Sequence, residues 1–438
     1  MIDIHLGIDD TDSNEGMCTT YLTTLILEEL MKKNIIMTDY PNLIRLNPNI
    51  PWKTRGNASL CLRFKSDKPK IIFKIAKKIL VENSESKKQK ANSGIIMLQS
   101  KKIPDEIIKF AEKCLYQEIK MTELNKIISH NNIEYFGQGT KRGLIGALAA
   151  IGNTLSSDHT YELIAYRKNI KVERGVSLES LIKIDKSKIY STFNNIDYNN
   201  FRILITPHGK DPIFFAMRGN NPIDLYNAMS KLEIYDQAER FIIYRSNQGT
   251  SEHLQNKFDL KNIKTYQSGY VNGTISKKPN VIRGGHIFLK IESNNNHINC
   301  AIYAPTITLK TISRKLEKGD EVEIGGGISK KSKEYDQVLN AEYIKINKLT
   351  KKVININPKC KMCKKVMKSI GYNKGYKCIK CGVRSNIIKK RKITREIKKG
   401  LYLPVPSAQR HLTKPIERYG KENYKIKNIP KGTWFRIF

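Results

Sequence analysis

The sequence predicts a multidomain α+β protein: an N-terminal α/β unit, a ferredoxin-like αβ unit, an OB-fold β-barrel and a C-terminal zinc ribbon. Three observations predict it. Apolar residues Ile4, Leu6 and Ile8 alternate as in a strand and lead through a turn into a helical pattern over 22–31. Residues 269–349 read as three strands, a short helix and two more strands, the order of an OB-fold. Cys360-Lys361-Met362-Cys363 is followed, after fourteen residues, by Cys378-Ile379-Lys380-Cys381, a spacing that suits four thiolates around one Zn²⁺.

Charge and length bound the function. The 438 residues are enough for several domains, and 78 Lys and Arg face 41 Asp and Glu, a net +37. A globular fold does not require that excess; a polyanionic partner explains it. The excess is uneven: residues 351–438 hold 26 Lys and Arg against Glu396, Glu417 and Glu422, so +23 of the total lies in the last fifth. A genome that favours Lys accounts for part of the surplus but not for its asymmetry. No apolar run reaches the ~18 residues of a transmembrane helix, and the N-terminus lacks the basic start of a signal peptide, so neither membrane insertion nor secretion is expected. Four of the eight cysteines are scattered (Cys18, Cys61, Cys114, Cys300), which fits a reducing cytoplasm rather than a disulfide framework.

The first element ends in carboxylates Asp9, Asp10 and Asp12, then Ser13, Asn14 and Gly16 turn the chain, and Thr19 and Thr20 open the helix. A strand that ends in acids beside a helix N-terminus can bind Mg²⁺ through hard oxygens and phosphate through free N–H groups. A surface acidic turn is the plainer alternative, and no Walker-type GxxxxGK[ST] occurs. Residues 34–46 and 58–64 read as further strands, separated by a loop whose Arg55 and Asn57 could reach phosphate or simply face solvent; residues 82–93 read as an exposed connection. A second candidate anion wall is the glycine-rich stretch with Gly137, Gly139, Lys141 and Arg142, just before an Ala-rich helix. Paired with the acidic turn, it would complete a nucleotide site.

Between 158 and 256, strands are expected at 161–166, 201–206, 213–217 and 241–245, with a helix opened by Asn221-Pro222, a pattern that fits a ferredoxin-like fold. The polar stretches 207–211 and 245–250 could face a ligand or be ordinary turns. In the barrel, strands are expected at 270–276, 286–292, 299–303, 321–324 and 341–346 and a helix at 307–316, on a fold that commonly grips single-stranded nucleic acid. The four-cysteine site is closed and structural; a redox pair is the alternative, without thioredoxin-like context. Residues 387–399 read as a basic helix or linker, and the segment 401–438 as a basic tail whose Tyr402, Tyr419, Tyr424 and Trp434 suit stacking and phosphate contact.

Taken together, the stretches 7–22 (GIDDTDSNEGMCTTYL), 48–60 (PNIPWKTRGNASL), 137–152 (GQGTKRGLIGALAAIG), 158–167, 239–254 and 284–291, with the four cysteines, resemble the archaeal agmatidine synthetases. These enzymes attach agmatine to the wobble cytidine of the isoleucine tRNA with a CAU anticodon, so that the codon AUA is read. The resemblance implies a kinase-like catalytic domain over 1–157, a ferredoxin-like domain over 158–262, an OB-fold over 266–350, a zinc ribbon over 355–400 and the tail 401–438. It implies ATP, Mg²⁺ and Zn²⁺ as cofactors, agmatine and tRNA as substrates, Asp9, Asp10 and Asp12 at Mg-ATP, and Thr19 as a phosphorylated threonine. Gly16, Thr20, Gly137, Gly139, Lys141 and Arg142 are then the expected ATP- and phosphate-binding residues, and Cys360, Cys363, Cys378 and Cys381 the zinc ligands. A non-enzymatic RNA- or DNA-binding factor, or a different ATP-dependent base-modifying enzyme, is the rival reading; the first leaves the three aspartates idle.

Overall fold

The computed structural model describes residues 1–88, 91–331, 336–424 and 428–438. Its first unit is a sheet sandwiched between helices. Strand Ile2–Asp9 lies between antiparallel neighbours Ala58–Ser66 and Gly94–Gln99, with Leu6 opposite Leu62 on one side and Met97 on the other. Alternation divides the side chains. Ile4, Leu6, Ile8, Leu60, Leu62, Phe64, Ile95 and Met97 pack with helices Thr19–Met31 and Pro69–Asn83. Cys61, Ile96 and Leu98 point the other way, against helices Asp105–Tyr116, Met121–His130 and Gly143–Gly152. Both faces are covered, and strand Gly94–Gln99 accordingly runs through Ile95, Ile96, Met97 and Leu98 without a polar break. Gly7 faces the last helix because nothing larger fits: a Cβ there would lie 2.1 Å from the Ala147 carbonyl oxygen.

The sheet does not stop at the domain edge. Arg245 and Ser246 of strand Ala238–Ser246 pair in parallel with Asn42 and Leu43 of strand Asn42–Arg45. One eleven-stranded sheet therefore runs through both the first and the second unit. In the second unit the spatial order is Ala238–Ser246, Thr160–Arg167, Ile213–Gly219, Thr192–Phe193, covered by helices Leu178–Ser187 and Pro222–Met229. With chain order strand–helix–strand–strand–helix–strand, this is the ferredoxin-like arrangement. The strand expected at 201–206 is only Arg202–Ile203, in a small hairpin with Ile196–Asp197, and the sheet edge is Thr192–Phe193 instead. Within the expected exposed connection at 82–93, Ser84, Glu85 and Ser93 are buried, because this segment closes over the acidic turn; Gln89 and Lys90 lie outside the described residues.

Strands Ser268–Ile275, Ile287–Ser293, Asn296–Ile302, Glu321–Ile328 and Val338–Lys348 close a five-stranded barrel, with helix Ile307–Ser313 between the third and fourth. Beyond it, Lys352–Ile356 pairs with Lys389–Ile393 and frames the cysteine ribbon, so the expected basic helix or linker contains a strand. Val353, Ile354 and Ile356 supply the β-branched partner that local pattern reading of 387–399 could not see.

The last segment is not a free tail. Gly400–Tyr402 adds to the barrel, and Phe435–Ile437 pairs with Ala238–Ser246 beside the Asn42–Arg45 junction. Between them Lys414 and Arg418 are buried, and Trp434 packs into the catalytic body beside Tyr40. Of the four aromatic residues expected to stack on nucleic acid, Tyr402 and Trp434 are spent on cores; Tyr419 and Tyr424 stay solvent-facing.

Candidate active site

Strand Ile2–Asp9 ends beside the N-terminus of helix Gly143–Gly152. The chain leaves it in a left-handed conformation at Asp10 (φ +53°), and Met17, at the far end of the loop, has φ +56°. Aspartate tolerates that region, but an unbranched apolar residue in it stores strain, and such strain gathers at ligand sites. The half-buried Asp9 carboxyl packs against the helix: a Cβ on Gly146 would fall 1.8 Å from its Oδ2, so only glycine admits the acid there. Burial, and then the neighbouring Asp10, push the Asp9 carboxyl well above the usual carboxylate range. Burial, and then the charge of Asp12, push Asp10 up to about 6.

Asn92 joins the acidic turn to the glycine-rich loop. Its N–H donates to Asp10 Oδ2 at 3.2 Å, its Oδ1 accepts from the Thr140 N–H at 2.9 Å, and its carbonyl accepts from the Gly143 N–H at 2.9 Å. Arg142 follows the loop, its charge favouring ionised Asp10, with its guanidinium 4.3 Å over the Trp52 ring. Asp9, Asp10, Trp52, Lys53, Arg142 and Gly146 line a cavity of about 80 Å³.

Asp12 faces elsewhere. Thr54 Oγ1 donates to its Oδ1 at 2.8 Å and Arg55 Nη1 to its Oδ2 at 2.5 Å, while Arg55 also binds the carbonyls of Met17 and Ser13 at 2.9 Å each. Burial raises the Asp12 carboxyl, and Arg55 and Thr54 counter it. Thr19 is the first residue of its helix; its hydroxyl accepts from Thr11 Oγ1 at 3.1 Å and lies 3.5 Å from Asp12 Oδ1. Thr20 Oγ1 lies 3.0 Å from Cys18 Sγ, and its carbonyl accepts from the Tyr244 hydroxyl at 2.8 Å, tying the helix start to the second unit. Asp12, Thr19 and Thr20 line a cleft of about 470 Å³ that Glu162 and Arg218 of the second unit also line. Thr54 and Ala58 belong to both cavities, so the two meet at the loop that holds Asp12.

The three aspartates and Arg142 thus converge, divided between two adjoining cavities. Gly16, Gly137, Gly139 and Lys141 line neither. Gly16 closes the acidic turn, its carbonyl accepting from the Ser13 N–H at 3.1 Å. Gly139 (φ +59°) turns against Asn92, and the exposed Lys141 (φ +60°) packs its stem on Gly137. Of the two polar stretches in the second unit, 207–211 does line the cleft, whereas Arg245 and Asn247 are buried in the junction with Asp39 and Arg45. Arg55, left open between phosphate contact and solvent in the sequence, is the clamp of the acidic loop. Asn92 carried no signal at all, because its partners lie 82 and 48 residues away.

In the ribbon, the sulfur atoms of Cys360, Cys363, Cys378 and Cys381 all lie within 4.8 Å of one another. Lys364 (φ +59°) and Gly382 (φ +72°) turn the chain after the two CxxC pairs. Four soft donors brought together with no oxygen ligand fit Zn²⁺ in a closed site.

A carboxylate-lined cavity at a helix N-terminus, joined to an OB-fold and a four-thiolate ribbon, defines a multidomain enzyme whose catalytic body and nucleic-acid modules share one chain. Family models match in three stretches: the TiaS TCKD domain over 5–140, the TiaS FLD domain over 141–253 and the TiaS C-terminal zinc ribbon domain over 357–397. The tRNA(Ile2) 2-agmatinylcytidine synthetase TiaS of Cenarchaeum symbiosum is 36% identical over 437 residues, covering 99% of this chain and 97% of that relative. The protein of the same name from Methanosarcina acetivorans is 36% identical, covering 96% and 99%. Among solved structures, a TiaS–tRNA(Ile2)–ATP complex superposes with a TM-score of 0.86 at 32% identity, over 95% of this chain and 98% of that one. A TiaS–tRNA(Ile2)–AMPCPP–agmatine complex gives 0.83 at 30% identity, over the same shares. The chain belongs to the tRNA(Ile2) 2-agmatinylcytidine synthetase family.

Proposed function

We propose that this chain is the ATP-dependent ligase that joins agmatine to C2 of the wobble cytidine in the CAU-anticodon isoleucine tRNA, forming 2-agmatinylcytidine. The observation that carries the reading is the pair of adjoining cavities on one acidic loop, in a chain that matches the family over nearly its whole length. Cytosine O2 is a very poor leaving group. Transfer of a phosphoryl group to O2 makes it displaceable; the agmatine amine then adds at C2, and the C2–O bond breaks to release phosphate. Such chemistry is mostly positioning and charge neutralisation. The target base leaves the anticodon stack to enter the cleft, at modest cost for a loop nucleotide.

We assign the smaller cavity to the phosphates of ATP, with the Arg142 guanidinium as donor and the positive dipole end of helix Gly143–Gly152 beside it. Asp9 and Asp10 offer hard oxygens whose burial leaves negative charge uncompensated, which fits Mg²⁺; when bound it would neutralise charge between these carboxylates and the triphosphate. Thr19 is our phosphate acceptor, with Asp12 placed to take its proton and Arg55 and Thr54 holding Asp12. Gly16, Gly137, Gly139 and Lys141 shape the loops, and Thr20 anchors the helix start. We place the first domain boundary near residue 157, because helix Gly143–Gly152 packs on strand Ile2–Asp9 and helix Asp105–Tyr116. No described helix is long and apolar enough to cross a membrane, and a cytoplasmic location follows from the tRNA substrate.

Incubation with an isoleucine tRNA transcript, ATP, Mg²⁺ and agmatine, followed by nucleoside mass spectrometry, tests the reading. Expected are 2-agmatinylcytidine and ATP consumption that depends on the RNA; RNA binding without either would leave a binding factor. Thr19→Ala should abolish modification and keep tRNA affinity, whereas Thr20→Ala should be milder.

A further inference from the structure

His411 reaches the larger cleft from the segment that returns from the ribbon, nearly 200 residues from the strand that faces it. Its backbone is pinned: the Gly249 N–H donates to its carbonyl at 2.9 Å, the Ser251 N–H donates to the carbonyl of Leu412 at 2.7 Å, and Leu412 itself is buried. Its ring is wedged between Arg218 and the loop that holds Asp12. A Cβ added to Gly56 would fall 2.4 Å from Arg45 Nη1, 2.6 Å from the ring Cδ2 and 2.8 Å from Nε2, so the Arg45 guanidinium lies beside the ring.

Arg218 Nη2 lies 2.9 Å from His411 Nδ1. A guanidinium only donates, so Nδ1 is the acceptor and the proton of the neutral ring sits on Nε2. The nearby Arg45 charge, then burial, then Arg218 hold the imidazole well below its ordinary range. Arg218 is oriented in turn by Glu162, whose Oε1 accepts from its Nε at 3.1 Å, and Gln248 donates to the other oxygen of Glu162. Nε2 makes no hydrogen bond among the described residues, and the ring lines the cleft. The arrangement is a neutral N–H donor, fixed in direction by a relay of buried polar groups.

We propose that His411 is a substrate-contacting residue that donates its Nε2–H to the oxygen on the reacting carbon of the base in this cleft. The inference rests on the functional reading above. A neutral donor suits the task for two reasons. Arg45, Arg55, Arg202 and Arg218 already line the cleft, and an imidazolium would add one more cation to a site that has to admit a dicationic amine. The bond from Arg218 polarises the ring, so Nε2–H is a stronger donor to an oxygen that gains charge as the C2–O bond breaks.

Steady-state kinetics of agmatine incorporation into tRNA by the full chain tests this. His411→Asn keeps an oxygen for Arg218 where Nδ1 was and removes the donor at Nε2. His411→Gln can carry an amide N–H to the Nε2 position. We expect His411→Asn to lower kcat on the order of 100-fold, as for loss of one preorganised donor to a developing oxyanion, with KM for ATP and agmatine within about twofold. His411→Gln should recover at least about tenfold of that loss. Wild-type kcat in His411→Asn, or equal slowing in both variants, would overturn the proposal and reduce His411 to packing. Absence of product with the wild-type chain would instead sink the functional reading itself.

Discussion

At the scale of single residues, the acidic loop is governed by burial and like charge rather than by pairing. Among the described residues, neither Asp9 nor Asp10 has a cationic partner as close as Arg55 is to Asp12. Asp10→Asn keeps the shape of the side chain and removes one charge from a site that we expect to hold metal and triphosphate. Turnover should fall by orders of magnitude while tRNA affinity persists, since the basic modules are distant. Single-turnover rates beside filter binding check this; near-normal turnover would detach Asp10 from the chemistry. Gly146 offers a sharper probe, because its Cβ would meet the Asp9 carboxylate at 1.8 Å. Gly146→Ala should raise helix propensity and yet weaken ATP binding at least tenfold, measurable by calorimetry. Unchanged ATP affinity would mean that Asp9 lies outside the nucleotide site.

At the scale of elements, the ribbon is a basic hairpin frame around four thiolates. Lys389, Lys390, Arg391 and Lys392 of the strand Lys389–Ile393 are all exposed, so both faces of this strand are available to phosphates. The tail that follows belongs to the catalytic body, and a deletion that tests the ribbon must spare it. Excising 357–397 removes Lys and Arg at fourteen positions, and each lost phosphate contact should reduce the slope of log K against log salt by about 0.7 to 0.9. Stripping zinc with a chelator, or Cys378→Ser, should lower tRNA affinity in the same direction without removing ATP binding. An unchanged salt slope after the excision would show that the ribbon's charge does not face RNA.

At the scale of the whole molecule, the returning C-terminal segment locks the two catalytic units and the barrel together. Arg418, fully buried, donates through Nη1 and Nη2 to both oxygens of Asp158, at 3.1 and 2.8 Å, and to the carbonyl of Gly249. Arg410 and His253 meet at Glu342 of the barrel, at 3.2 and 2.9 Å. Removing one member of a buried pair strands the other, so Arg418→Met should cost about 3 to 5 kcal/mol and expose the strand Phe435–Ile437 to hydrogen exchange. The same joint should be acid-sensitive. Burial and then the charge of Arg245 hold the His159 imidazole down to about 3, while an unfolded histidine titrates near 6.5. The unfolded chain therefore binds the extra proton, and the stability that His159 contributes is present above pH 6.5 and lost as pH falls towards 3. Melting temperatures should drop through that window, and less steeply in His159→Asn; equal slopes would assign the acid lability elsewhere.

The order of the main elements, the barrel and the four-thiolate ribbon were legible in the chain, because each depends on residues close in sequence. Ile4, Leu6 and Ile8 declare a strand by alternation alone, and two CxxC pairs fourteen residues apart declare a metal site by reach alone. Asp9, Asp10 and Asp12 announced themselves as a group for the same reason. What only the tertiary structure decided is which way each acid faces, and with whom: Asp12 towards Arg55 and the larger cleft, Asp9 and Asp10 towards Arg142 and the smaller one. It also decided that Asn42 and Leu43 pair with Arg245 and Ser246, merging two units into one sheet, and that a segment read as a basic tail brings His411 and Arg418 into the catalytic body. These outcomes rest on contacts between residues about 40 to 260 positions apart. No local periodicity encodes such contacts, and they form only when the apolar faces of separate units bury one another.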